Sequence, residues 1–164
     1  MRALTSAGRP EVGRGEGRLG GYIAKEAMYR DSGGHKVKDK GAIFVAERYM
    51  DQGYEAVFRQ THPAQGKTYD LSIKTSDDTS YVKNIEVKRV TSPNPGKIAE
   101  HIHHGFRQFG DEPEGTVAVV LSNHRNDKAG LEFAMAGFDE AKRKGWVAGH
   151  VEIWFKDKTK IDLS

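Results

Sequence analysis

Tyr69-Asp70-Leu71-Ser72-Ile73 and Ile85-Glu86-Val87-Lys88-Arg89-Val90 alternate polar and apolar residues as strands do, and a polar turn from Thr75 to Ser80 joins them. Residues two apart on a strand share a face. Glu86 and Lys88 therefore project together, Ile85 and Val87 point the other way into a core, and a hairpin brings Asp70 to the Glu86 side. Two carboxylates and an ammonium at one sheet surface are costly to desolvate unless something uses them. A divalent metal and a phosphodiester together do so: the carboxylates hold Mg²⁺ or Mn²⁺ through hard oxygens, and the Lys orients or deprotonates the attacking water.

Outward from this pair, the pattern is that of one α/β domain over residues 41–164. Gly41 to Gln52 reads as a helix stopped by Gly53, and Tyr54 to Gln60 as a strand leading into a loop through His62, Pro63 and Gly66. Pro93, Asn94, Pro95 and Gly96 mark a turn before an amphipathic helix from Lys97 to Phe109. Thr116 to Leu121 is a continuous apolar run, as expected of a strand buried on both faces. A helix from Leu131 to Lys144 stopped by Gly145 follows, then strands at Val151 to Phe155 and Ile161 to Leu163. The order α-β-β-β-α-β-α-β-β predicts a mixed-sheet α-β-α sandwich. Residues 1–40 differ: glycines interspersed with Arg2, Arg9, Arg14, Arg18 and Arg30 predict a flexible leader, with a short helix at Tyr22 to Tyr29.

Composition sets the bounds. A chain of 164 residues with 37% hydrophobic content supports one modest core. A formal charge of +3 leans towards an anionic partner. The absence of cysteine excludes disulfides and thiolate metal sites. No apolar run is long enough for a membrane span or a signal-peptide core, so no membrane anchor and a cytoplasmic working compartment are expected.

Several other side chains are candidates. Glu47 lies one turn from Ile43 and shares the apolar face of the first helix, where an inward carboxylate extends the acidic cluster. On the helix from Lys97 to Phe109, Ile98, Ile102 and Phe109 form the core side. Lys97, His101, His104 and Gln108 make a second, polar stripe, with Arg107 nearby. Arg89, Tyr69 and Tyr81 flank the proposed site, and His62 and Lys67 precede Asp70. A zinc site from His101, His103 and His104 lacks a completing ligand. Trp146 and Trp154 read as core aromatics.

An Asp, a hairpin's worth of residues and then Glu-x-Lys on an apolar strand resembles the PD-(D/E)xK nuclease superfamily. The match rests on Asp70, Glu86 and Lys88, with the element order agreeing from Gly41 to Leu163. Tyr69 stands where that family often has Pro. The resemblance implies a metal-dependent phosphodiesterase in which Asp70, Glu86 and the Val87 carbonyl ligate the ion, Lys88 positions the water, and cleavage leaves a 5′-phosphate and a 3′-hydroxyl. Several families of that superfamily carry a Glu on the first helix, where Glu47 stands, and in that fold the helix after the Glu-x-Lys strand borders the cleft, which implies phosphate contacts from Lys97, His101, His104, Gln108 and Arg107.

A narrower likeness lies in Gly53-Tyr54-Glu55-Ala56-Val57-Phe58, Tyr69 to Ile73, Asn84 to Arg89 and the closing Val151-Glu152-Ile153-Trp154-Phe155-Lys156-Asp157. These motifs resemble the C-terminal nuclease modules of bacterial contact-dependent growth inhibition toxins. That likeness implies tRNA as the favoured nucleic acid, action in a target cell's cytoplasm and a cognate immunity protein. A DNA endonuclease of the same fold, in repair, restriction or phage biology, and a non-catalytic nucleic-acid-binding protein are the alternatives.

Overall fold

The computed structural model describes residues 29–60, 69–75, 81–110 and 115–164. The leader through residue 28, most of its expected helix, the expected turn over 76–80, His62, Lys67 and the Tyr81 side chain lie outside the described residues. The architecture is α/β, with a mixed open sheet of six strands and three helices among the described residues. Helix α1 spans Lys40–Asp51, β1 Tyr54–Phe58, β2 Leu71–Thr75, β3 Tyr81–Val90 and α2 Gly96–Arg107. Strand β4 spans Thr116–Leu121, α3 Lys128–Arg143, β5 His150–Trp154 and β6 Lys160–Leu163, and the strand order is sequential, β1 to β6. The fold falls into two compact units that divide between Asn84 and Ile85.

The first unit is built on α1 and the antiparallel pair β1–β2, in which Ala56 lies opposite Ile73 and Phe58 opposite Leu71. Asp39 caps α1 by accepting the Ala42 N–H at 3.0 Å, and Gly53 at φ 96° takes the left-handed turn that ends it. Ile43, Val45, Ala46, Tyr49 and Met50 are buried, the helical spacing the sequence predicts. Tyr29 is fully buried and tilts against Phe58 at 5.3 Å, so the last residues of the expected leader pack with this unit. Ser72 Oγ donates to Asn84 Oδ1 at 2.9 Å, and Lys83 Nζ donates to the Tyr49 hydroxyl at 2.9 Å.

In the second unit β3 runs parallel to β4 and β4 parallel to β5, while β6 returns antiparallel to β5. Parallel neighbours need crossover connections. Here α2 supplies the one from β3 to β4, and α3 the one from β4 to β5. Every residue of β4 is buried, which is why its sequence is an unbroken apolar run. Two glycines set how closely the layers approach. A Cβ on Gly105 of α2 would come within 2.8 Å of Val117, and one on Gly137 of α3 would meet the Ile98 side chain and lie 2.7 Å from the Pro95 carbonyl.

Helix α3 starts earlier than the expected Leu131, because Asp127 accepts the Gly130 N–H at 2.8 Å and caps a first turn with few apolar residues. Trp154 is core, as expected. Trp146 is not: it is half-buried beyond the end of α3 and stacks on His103 at 4.4 Å. Its backbone N–H bonds the Ala141 carbonyl at 2.9 Å, which pins the chain in its turn around Gly145 and directs the indole onto α2's side instead of the sheet.

Gly137→Val is expected to destabilise the protein by about 1–3 kcal/mol, because the α2–α3 crossing has no room for the added carbons. Urea unfolding reads this directly; an unchanged midpoint would refute the close-crossing account.

Candidate functional site

Strand β3 supplies the strongest chemistry. Its register beside β4 sets Glu86 next to Val117 and Lys88 next to Val119, on the sheet face that α2 covers through Gly105 and Val117. Glu86 is 5% exposed, among the few charged groups buried in the described residues. Lys88 Nζ lies 3.1 Å from Glu86 Oε2, with its own side chain about one-fifth exposed (21%). The acid is thus withdrawn from solvent while the ammonium reaches it.

The polar stripe of α2 divides. His101, half-buried, has its imidazole pKa lowered, first by burial, then by the positive field of Lys88, with His104 and Lys97 adding to it and Glu100 opposing. Charged imidazole is disfavoured both by lost hydration and by the neighbouring ammonium, so His101 is neutral at pH 7. Lys97 turns to Glu100 at 3.2 Å on the exposed side. His104 is exposed with its ring 5.8 Å from that of His103, Arg107 is exposed in the last turn, and Gln108 serves as the C-cap. Arg89 alternates away from Lys88, and its Nε donates to Ser122 Oγ at 2.9 Å. Glu86, Lys88 and His101 are therefore brought together; Arg89 and Arg107 are not placed with them.

In the first unit, Glu47 is inward, as its helical phase predicts, and accepts a hydrogen bond from the Tyr29 hydroxyl at 2.7 Å. Arg48 Nη2 lies 3.8 Å from its other oxygen. Asp70 precedes β2, and its carbonyl accepts the Arg59 N–H at 2.8 Å. No three His, Cys, Asp or Glu side chains converge as a metal-binding group among the described residues. The expected ligand set is smaller than that, two carboxylates and the Val87 carbonyl, and its all-oxygen chemistry is what Mg²⁺ takes.

Two features had no place in the sequence reading. Glu152 on β5 is 1% exposed and accepts the Trp154 indole N–H at 3.0 Å, and a lone acid between Val151 and Ile153 is its only sequence signal. The His103–Trp146 stack, with Lys144 Nζ 4.8 Å from the indole centre, had none, since it joins residues more than forty apart. No family model, curated protein or solved structure matches the chain.

The lowered imidazole pKa fixes a pH dependence. The unfolded chain, with an ordinary value of 6.5, takes up a proton at His101 before the folded protein does, so stability falls as pH drops below 6.5. His101→Gln removes that contribution. Unfolding free energies measured across the acid range are expected to fall less steeply for the variant, and superimposable profiles would contradict the assignment.

Proposed function

We propose that this chain is a metal-dependent nuclease of the PD-(D/E)xK type, acting on RNA, with tRNA favoured over DNA, as a toxin module. The observation that carries the reading is the buried Glu86 paired with Lys88 at 3.1 Å on one strand face, beside the neutral imidazole of His101. A carboxylate and an ammonium held this way serve phosphodiester hydrolysis, where one group must be hard and anionic and the other must meet developing negative charge.

In the proposed site Asp70 joins Glu86 and the Val87 carbonyl as ligand on the sequence pattern, with Glu47 as the further acid of the first helix. When bound, Mg²⁺ or Mn²⁺ supplies Lewis acidity and lowers the pKa of the attacking water. Water oxygen bonds to phosphorus as the bond to the 3′-oxygen breaks, and a proton reaches that oxygen, leaving a 5′-phosphate and a 3′-hydroxyl. Lys88 meets the charge on the phosphoryl oxygens in the transition state. His101, neutral at the working pH, is able to accept a hydrogen bond or a proton beside Lys88. Lys97, His104, Arg107 and Gln108 are the proposed phosphate contacts along α2. A cognate immunity protein is the proposed macromolecular partner, and the cytoplasm of a target cell the place of action.

Incubation of the purified chain with total tRNA and with plasmid DNA, in Mg²⁺ or in EDTA, tests the proposal. Metal-dependent cleavage of tRNA is expected, lost by on the order of a hundredfold or more in Glu86→Ala, Lys88→Ala and Asp70→Ala, with unfolding temperatures confirming that the variants fold. Cleavage of DNA alone would move the activity to a DNA endonuclease. Binding of either nucleic acid without cleavage of any would sink the nuclease reading.

A further inference from the structure

A cavity of about 190 Å³ opens within the first unit, lined by Lys36, Lys38, Arg59, Asp31, Asp39 and Asp70 among others. That is well above the roughly 15 Å³ one water requires, and most of its lining residues are charged. The formal charges balance, three cations against three acids, so the use each charge is put to decides what the cavity takes.

Two of the acids are committed to backbone. Asp31 Oδ1 accepts the N–H groups of Gly33 at 2.8 Å and His35 at 3.0 Å, and Asp39 Oδ1 accepts the Ala42 N–H at the start of α1. The lysines differ: neither Lys36 nor Lys38 has an ion pair or hydrogen bond to any described residue, and both are exposed at the cavity.

The wall that carries the lysines is firmly attached. Val37 is buried, its N–H bonds the Tyr29 carbonyl at 3.0 Å, and the Ser32 N–H bonds the Phe58 carbonyl at 2.8 Å. Arg59 continues β1 on the opposite wall, with its guanidinium 5.7 Å from the Tyr69 ring centre and its backbone N–H donating to the Asp70 carbonyl. Two ammonium groups without partners among the described residues and a guanidinium thus border one polar space, next to the residue proposed above as a metal ligand.

We infer that this cavity is a phosphate-binding subsite, in which Lys36, Lys38 and Arg59 hold a backbone phosphate of the nucleic acid adjacent to the group held at Asp70. The inference rests on the nuclease reading for its ligand but on separate residues for its binding. Ammonium groups grip phosphate as point charges and carry no base information, so the subsite positions the strand and leaves sequence choice to other contacts. It also gives the first unit a role in substrate binding that none of the residues in the α2 stripe supplies.

Fluorescence anisotropy of the full chain with a short labelled single-stranded RNA, in EDTA across a salt series, provides the test. For single strands each phosphate contact contributes about 0.7 to the slope of log affinity against log salt. Lys36→Ala/Lys38→Ala is expected to lower that slope by about 0.7–1.4 and to weaken low-salt binding by about tenfold. Lys36→Arg/Lys38→Arg restores both, while Lys156→Ala/Lys158→Ala, on the exposed β5–β6 turn, changes neither. An unchanged slope in the Lys36/Lys38 alanine variant, with RNA bound and cleaved as in wild type, overturns the subsite and leaves the nuclease reading standing. A reduced slope in a protein that never cleaves overturns the nuclease reading and leaves the subsite.

Discussion

Holding the Glu86 carboxylate inside the protein is the constraint that orders its surroundings. Taking a carboxylate out of water costs several kcal/mol even after relaxation. An ammonium at about 4 Å returns about 4 kcal/mol at an effective dielectric near 20, so the two effects are of the same size and the pair gives little net stability. The position of Lys88 two residues along β3 is what makes the burial tolerable, since strand periodicity puts its Nζ 3.1 Å from Glu86 Oε2. A hydrophobic pair would serve the fold at least as well.

The same pair acts on its neighbours. Lys88 disfavours protonation of His101 across the gap between β3 and α2, and burial of the imidazole acts in the same direction. The helix is held close because Gly105 gives Val117 room, and α3 is held close to α2 by Gly137. Small residues at two crossings thus set the distance at which His101 senses Lys88. The first unit handles its charge differently: Glu47 is satisfied by the Tyr29 hydroxyl, Asp39 by the start of α1, and Asp31 by a turn, while Lys36 and Lys38 pair with none of the described residues.

Much of the fold was legible because local physics decided it. The unbroken apolar run of β4 needs burial on both faces, and Gly53 and Gly145, at φ 96° and 75°, end α1 and α3 where a left-handed residue is required. The alternation in β3 placed Glu86 and Lys88 on one face, and helical phase turned Glu47 inward. The start of α3 was set too late because its first turn is polar and only the Asp127 cap marks it. Trp146 was misread because large apolar residues are usually core, and nothing local shows that the turn at Gly145 carries the indole to His103.

The sequence by itself determined where strands and helices lie, which side chains share a face of each, and that Glu86 and Lys88 are a pair, because these follow from backbone geometry over two to four residues. Tertiary structure alone decided that Glu86 is withdrawn from water, that His101 is kept neutral, that Tyr29 bonds Glu47, and that Lys36, Lys38 and Arg59 border one cavity. Each of those depends on desolvation and on distances between residues far apart in the chain, and neither quantity is encoded in local spacing.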